Sequence, residues 1–292
     1  MNLTRYALAA AARGWLVFPL TPGGKRPLRG FTDWERNATA DPARIRRMWA
    51  RTPYNIGIAC GPSALVVLDL DMPKPGEEPP PAWVLPGIHE GADVLAALCE
   101  QAHQPLPLET FTVRTRRGGT HLYFTAPPGT DLGNTAGKLG WKIDTRASGG
   151  YVVGPGSLVD LPDGCGSYRV LHAPTPAPLP VWLAERLTPS APSASMGAVP
   201  VGGDRAADYA MAALRGEVEK VLHAGPGTRN NTLNAAAFAL GQLAAAGMLP
   251  RHLAETCLCD AAEVVGLSAR EAFTTIRSGL DSGQRHPRRA AA

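Results

Sequence analysis

Hydrophobic and polar positions divide the chain into two parts with different periods. In residues 1–187, short apolar runs such as residues 65–70 and 122–124 are typical of strands, whose side chains alternate between two faces. Helices are predicted at residues 2–13, 42–50 and 91–103, the second with Asp41 as its N-cap and Pro42 as its first residue. This mixture predicts an α+β fold with antiparallel strands.

Residues 204–292 follow a helical period instead. Four helices are predicted, at residues 204–222, 232–246, 250–265 and 268–279. Between the two parts, residues 188–203 are rich in Pro, Ser and other small residues, a composition that forms no core. We therefore predict a catalytic domain at residues 1–187, a linker at residues 188–203 and a small all-α helical bundle at residues 204–292.

Two carboxylates stand at the end of the apolar run that begins at Leu65. Asp69 and Asp71 are two residues apart, so an extended chain directs both side chains to the same face. Carboxylates this close repel each other unless cations neutralise them, and oxygen ligands favour Mg²⁺ or Mn²⁺. A solvated acidic turn is the alternative interpretation.

Two later strands supply further polar groups. His121 follows a glycine turn at residues 116–120 and shares a strand face with Tyr123. Lys142, Asp144 and Arg146 are predicted on one face of another strand, opposite Ile143. A third carboxylate is therefore available, and Arg146 beside it is a candidate for a phosphate contact.

These segments resemble the three ordered motifs of the bifunctional DNA primase/polymerase (prim-pol) family, within the archaeo-eukaryotic primase superfamily. The motifs are residues 69–71, 118–124, and 142–146 with 150–157, and residues 14–20, 24–27 and 55–61 resemble the start of that domain. The resemblance covers about residues 1–187. It implies an archaeo-eukaryotic primase-like core with an RRM-like mixed or antiparallel sheet, and residues 225–231 and 275–280 resemble the small helical domain that follows this core in many relatives.

The resemblance also implies an activity, namely template-dependent nucleotidyl transfer by a DNA primase, a DNA polymerase or both. Asp69, Asp71 and Asp144 would hold two Mg²⁺ or Mn²⁺ ions, and His121 would contact the triphosphate. Residues 119–121 stand where the wider superfamily often has Ser-x-His, so backbone N–H groups of the glycine turn, or Thr120, are the expected phosphate donors. The candidate phosphate-contacting residues are Lys25, Arg117, Gly119, Thr120, Arg146, Ser157 and, at a predicted helix entry, Arg229.

The distribution of charge along the chain supports a polyanionic substrate more strongly than the net charge does. The chain has 29 Lys and Arg against 25 Asp and Glu, a formal net charge of +4. Residues 111–150 alone hold six basic residues against two acidic ones, an excess equal to that of the whole chain. Single-stranded DNA template and nucleoside triphosphates are the partners that this pattern and the family resemblance predict.

Other features exclude some classes of protein. No apolar run approaches the ~18 residues of a membrane span, and no signal-peptide layout is present, so we predict a cytoplasmic protein without membrane contact. The five cysteines are scattered, which argues against disulfides and against a zinc site at Cys257 and Cys259. No P-loop motif is present either, so unwinding is expected to come from a separate helicase.

Two alternative functions remain open. A nucleic-acid-binding replication accessory protein could keep this fold without catalysis, although the presence of all three carboxylates argues against it. A metal-dependent enzyme acting on nucleotide sugars could use Asp69 and Asp71, but the segments around His121 and Asp144 argue against that reading.

Overall fold

The computed structural model describes residues 2–130, 132–188, 203–225 and 229–285, without the side chains of residues 203–207 and 270. The chain divides into two compact units, Met1–Ser190 and Ala191–Ala292. The division falls within the segment predicted as a linker, most of which lies outside the described residues. Gly227 and Thr228 of the predicted helix entry also lie outside them.

The first unit mixes helices and strands, so the α+β prediction is confirmed at this level. Its helices are α1 (Leu3–Ala11), α2 (Trp34–Asn37), α3 (Pro42–Trp49), α4 (Gly91–Gln101) and α5 (Val181–Leu187). Its strands are β1 (Val17–Leu20), β2 (Asn55–Ala59), β3 (Leu65–Leu70), β4 (Phe111–Arg114), β5 (Thr120–Thr125), β6 (Thr135–Gly140), β7 (Ile143–Arg146), β8 (Tyr151–Val153), β9 (Leu158–Leu161), β10 (Gly164–Ser167), β11 (Arg169–His172) and β12 (Ala177–Pro178).

A large sheet with the strand order β11-β4-β5-β3-β7-β6 is the framework of this unit. Its strands are antiparallel, except that β12 pairs in parallel with β5. Strands β1, β2 and β8 form a smaller antiparallel sheet, and β9 and β10 form a hairpin. Strand β3 therefore lies inside the large sheet, between β5 and β7.

Strand β3 contributes to two hydrophobic cores, which explains its continuous apolar run. Leu65 and Val67 face a core that contains residues of α1, α3 and the small sheet. Val66, Leu68 and Leu70 face a second core, which contains residues of α4 and α5. Alternation along the strand therefore puts Asp69 on the same face as Leu65 and Val67.

One local prediction is wrong at the start of β7. Lys142 was expected on the strand beside Asp144, but Trp141 and Lys142 form the turn between β6 and β7, and Lys142 has a φ of 61°. The Lys142 ammonium instead contacts Glu77, with 2.6 Å between Nζ and Oε1. Two residues are the shortest connection between antiparallel strands, and such turns need positive φ, which overrides simple alternation here.

The second unit contains four helices in its described residues: α6 (Gly203–Leu222), α7 (Arg229–Ala245), α8 (Arg251–Val264) and α9 (Ala269–Arg285). They share one apolar core that includes Leu214, Leu240 and Leu280. Helices α7 and α9 cross closely, since a Cβ added to Gly241 would lie 2.5 Å from the carbonyl oxygen of Leu280. Across the described ranges, no helix is long and apolar enough to span a membrane.

Candidate active site

Three polar side chains lie side by side on neighbouring strands of the large sheet. Asp69 on β3 pairs in register with His121 on β5 and with Asp144 on β7. Directly opposed residues of antiparallel strands have Cβ atoms about 4.5–5.5 Å apart. Strand pairing therefore assembles a row, His121–Asp69–Asp144, from three segments that are distant in sequence.

His121 holds one end of this row. Its Nε2 atom lies 3.2 Å from Oδ1 of Asp69, and its side chain is only 4% exposed. Burial by itself would raise the pKa of Asp69, but the charge and hydrogen bond of His121, together with Arg146 and Lys25, hold that pKa below its usual value. The other ring nitrogen, Nδ1, is buried and has no hydrogen-bond partner among the described residues. An unpaired buried polar atom is costly, so it marks a place where a ligand can bond.

Asp144 holds the other end of the row through two contacts. One guanidinium nitrogen of Arg146 donates to Oδ2 at 3.0 Å, so these two residues do share a strand face. The backbone N–H of Gly137 donates to Oδ1 at 3.2 Å, from an irregularity in β6 where Gly137 has a φ of 63°. Burial raises the pKa of Asp144, the Arg146 charge opposes this, and the charge of Asp69 adds to it.

Asp71 lies one residue beyond the end of β3. Its backbone continues the sheet, since its N–H donates to the carbonyl oxygen of Lys142 at 2.9 Å and its carbonyl accepts from Gly91 at 3.0 Å. The Asp71 side chain is exposed, but neighbouring protein atoms reduce its hydration. That loss of hydration and the negative charges of Asp69 and Asp144 raise the pKa of Asp71 to about 6. The three carboxylates therefore act on one another electrostatically.

This donor set fits a divalent cation chemically. Mutual repulsion raises carboxylate pKa values and a cation relieves it, and carboxylate oxygens are the ligands that Mg²⁺ prefers. However, in the described part of the chain no group of three or more His, Cys, Asp or Glu side chains is arranged to hold a metal ion. Asp69 and Asp144 instead contact His121 and Arg146. Metal binding by Asp69, Asp71 and Asp144 therefore stays a prediction.

A cavity of about 380 Å³ opens beside the row. Two cations that the sequence predicted as phosphate contacts, Lys25 and Arg146, line it together with Asp69 and His121. Burial and the positive charge of Arg116 lower the pKa of Lys25. The remaining lining residues are Trp34, Asn134, Gly149, Gly150, Tyr151, Val152, Val153 and Tyr168.

Sequence reasoning missed several of these lining residues. Tyr151 belongs to the third motif and could have been singled out on that ground. Trp34, Asn134 and Tyr168 stand in segments without a recognisable pattern, and only packing brings them to the cavity.

The other predicted phosphate contacts have partners or positions elsewhere. Arg117 lies 3.3 Å from Oδ2 of Asp163, which also contacts Arg116. Ser157 is buried and its hydroxyl accepts the N–H of Ile56 at 3.0 Å, which joins it to β2 and gives it a structural role. Arg229 begins α7 in the second unit, where its Nε is buried without a described partner.

Gly119 and Thr120 lie at the turn into β5. Thr120 pairs in register with Leu70, the last residue of β3. Gly119 approaches the backbone of Leu70 and Asp71 so closely that an added Cβ would clash with the Leu70 carbonyl oxygen. The structure therefore provides a packing reason for this glycine, whereas a phosphate contact stays a prediction.

Of the three carboxylates, only Asp69 lines the cavity, together with His121 and two cations, while Asp144 lies beside Asp69 on the next strand. Groups of these kinds are expected of a centre for phosphoryl or nucleotidyl transfer. The model of the bifunctional DNA primase/polymerase N-terminal (Prim-Pol) family matches residues 7–182. The chain therefore belongs to the prim-pol family, and the resemblance inferred from the motifs is confirmed. A comparison with curated proteins found no match.

Proposed function

We propose that the chain is a template-dependent nucleotidyltransferase, acting as a DNA primase, a DNA polymerase or both, whose two divalent metals are held by Asp69, Asp71 and Asp144. The observation that carries the proposal is the register of β3, which pairs Asp69 with both His121 and Asp144. Membership in the prim-pol family supports nucleotidyl transfer as the reaction.

Each acidic side chain has a distinct part in this proposal. Bound Mg²⁺ or Mn²⁺ supplies positive charge to the attacking and leaving oxygens of nucleotidyl transfer. Asp69 is kept ionised by His121 and by the nearby cations, as its lowered pKa indicates. Asp144 is oriented by Arg146 and Gly137. The Asp71 carboxylate has no hydrogen bond or ion pair with a described residue and is the carboxylate most open to a cation.

The cations and His121 fit the triphosphate of the incoming nucleotide. Lys25 and Arg146 line the same cavity, and charge-assisted hydrogen bonds to phosphate are about twice as strong as neutral ones. A bound phosphate would also offset the repulsion between Lys25 and Arg116. His121 would donate from Nδ1 to a triphosphate oxygen while Nε2 keeps its contact with Asp69. Arg117, Gly119 and Thr120 are secondary candidates at the neighbouring turn.

Nucleotide incorporation tests this proposal directly. Purified protein is incubated with single-stranded template, with and without primer, with Mg²⁺ or Mn²⁺ and with deoxynucleotides or ribonucleotides. We expect metal-dependent incorporation, and a loss of at least ~10²-fold in Asp69→Asn, Asp71→Asn and Asp144→Asn, since misplacing reacting groups by about 1 Å costs this much. Mn²⁺ binding followed by electron paramagnetic resonance provides a readout that does not depend on turnover.

Asp160→Asn is the matched control, because Asp160 is an exposed carboxylate on β9 outside the cavity. It should incorporate nucleotides and bind Mn²⁺ as the unaltered chain does. Near-normal extension by any of the three Asp→Asn variants would contradict the metal assignment. DNA binding without any incorporation by the unaltered chain would favour the alternative, a catalytically inactive replication accessory protein.

The partners in this proposal are single-stranded DNA, nucleoside triphosphates and a separate helicase. The second unit adds contacts for starting a strand, because two free nucleotides must be held on the template without a duplex to position them. Arg229 at the start of α7 is the proposed phosphate contact there.

A further inference from the structure

The positive charges that surround the sequence motifs are largely engaged within the protein. Of the six basic residues in residues 111–150, five have partners: Arg116 and Arg117 contact Asp163, Lys142 contacts Glu77, Arg146 contacts Asp144, and Lys138 donates to the carbonyl oxygens of Leu187 and Thr188. Much of their charge is therefore compensated by carboxylates, two of which lie outside this segment. These residues do not provide an open surface for a long polyanion.

Free positive charge is concentrated elsewhere, in residues 26–51. This segment has seven arginines, no lysine and three acidic residues, an excess of +4 that equals the net charge of the whole chain. All seven side chains are exposed, and none has a hydrogen bond or ion pair with a residue that the structure describes. We call this the arginine surface; its members are Arg26, Arg29, Arg36, Arg44, Arg46, Arg47 and Arg51.

The acidic residues of the segment do little to cover this charge. The Glu35 carboxylate accepts the N–H of Gly149 at 3.0 Å, and the Asp41 carboxylate caps α3 by accepting the N–H of Ala43 at 2.8 Å. Stabilisation of the helix dipole would account for arginines in the last turn of α3. It does not account for Arg26, Arg29 and Arg51, which lie outside the helices.

The arginine surface adjoins the candidate active site at Arg26 and Arg36. Lys25 and Trp34 line the cavity. Lys25 precedes Arg26 in the chain, and Trp34 begins the short helix α2, which contains Arg36. The positive charge of Arg26 acts on the pKa of Tyr151, another lining residue, in the lowering direction against the larger effect of burial.

Helix α3 presents its arginines to solvent. Ile45 and Trp49 are buried in the core shared with α1 and the small sheet. Arg44 and Arg47 are three residues apart, hence neighbours on the helix surface, and both are exposed.

We propose that the arginine surface binds the sugar–phosphate backbone of the single-stranded template as it approaches the cavity. This inference rests on the proposed function and names the part of the surface that holds its polymeric substrate. Guanidinium groups bind phosphate oxygens bidentately, and such contacts position a nucleic acid without reading its sequence. Several unpaired guanidiniums along a short segment suit a chain of regularly spaced phosphates.

The test is the salt dependence of binding to a fluorescent single-stranded oligonucleotide, measured with the full chain in EDTA and without nucleotides. Each phosphate neutralised on a single strand contributes about −0.7 to the slope of log affinity against log salt. The double variant Arg44→Gln/Arg47→Gln should therefore reduce the slope by about 1.4. With equal binding at 1 M salt, this slope change makes binding about 25-fold weaker at 0.1 M salt. Oligonucleotides of different sequence should lose affinity equally.

Arg114→Gln/Arg169→Gln is the matched control. These two arginines face each other on β4 and β11, are exposed, and have no described partner, so the variant removes the same charge from another surface. It should leave the slope nearly unchanged. Equal losses in the two double variants, or no loss in Arg44→Gln/Arg47→Gln, would overturn the inference. Thermal melting verifies folding, and Arg46→Gln/Arg51→Gln serves as the second variant if the first is unstable.

Failure of this inference can be distinguished from failure of the proposed function. If the unaltered chain extends primers and the Arg44→Gln/Arg47→Gln variant binds DNA as tightly as the unaltered chain does, only the proposal about the arginine surface is refuted. A chain that binds DNA through these arginines but incorporates no nucleotide would refute the proposed function alone.

Discussion

Replacing Gly119 with alanine is expected to displace the end of β3 and with it Asp71. Gly119 is buried and does not have a positive φ. The residue with a positive φ in this turn is Gly118, at 93°. An added Cβ at residue 119 would clash with the carbonyl oxygen of Leu70 and would lie 3.3 Å from Cα of Asp71 and 3.2 Å from Oγ1 of Thr115. The obstacle is therefore backbone, which cannot rotate away as a flexible side chain can.

The size of the effect follows from this geometry. The Leu70 carbonyl must retreat by roughly 1 Å to restore an ordinary van der Waals separation of about 3.5 Å. Adding a methyl group to a packed site costs about 1–3 kcal/mol of the free energy of unfolding. A shift of this size passed on to Asp71 should lower the rate of nucleotide incorporation by about 10²-fold.

Urea unfolding and single-nucleotide primer extension measure the two effects. Gly133→Ala is the control, because an added Cβ there meets no atom within 4 Å and Gly133 has no positive φ. Alanine has a backbone N–H just as glycine does, so the substitution does not remove a possible phosphate donor at residue 119. A loss of activity would therefore come from displacement of the backbone. If Gly119→Ala is as stable and as active as Gly133→Ala, the close approach to Leu70 does not constrain Asp71 and our reasoning fails.

Three further predictions concern stability and the division of labour. Tyr123→Phe should leave the free energy of unfolding unchanged or raise it by up to about 1 kcal/mol, because the buried hydroxyl has no described hydrogen-bond partner. A clearly lower free energy of unfolding in urea would contradict this. Gly216→Ala should stabilise α6 by about 0.5–1 kcal/mol, since an added Cβ meets nothing within 4 Å, and a lower melting temperature would count against it. Ending the chain after Leu187, or Arg229→Ala in the full chain, should spare primer extension but impair dinucleotide formation without a primer; equal effects on both would leave the helical unit with a structural or partner-docking role.

Local pattern was sufficient for α1, α3 and α4 and for the faces of β3 and β5. Alternation in residues 65–70 put Asp69 opposite Leu68 and Leu70, and the same rule put His121 opposite Leu122, as the two cores confirm. The start of α3 followed from Asp41 and Pro42, whose capping contacts involve only neighbours in sequence. Where the turn between β6 and β7 needed a positive φ at Lys142, alternation failed.

The motifs also determined the family, because three of them occur in order and the family model matches residues 7–182. They did not determine how the residues of the site meet. That His121 and Asp144 lie on either side of Asp69 depends on the register of β5 and β7 against β3, which long-range hydrogen bonds decide.

Tertiary structure alone decided which charges remain free. The sequence shows an excess of positive charge both in residues 111–150 and in residues 26–51. Folding brings Asp163 to Arg116 and Arg117, and Glu77 to Lys142, whereas the arginines of residues 26–51 stay exposed without a described partner. Ion pairs form between groups that folding brings within a few ångströms, and for residues far apart in the chain the sequence does not give that distance. For the same reason Trp34 and Asn134 became part of the cavity wall only in the folded chain.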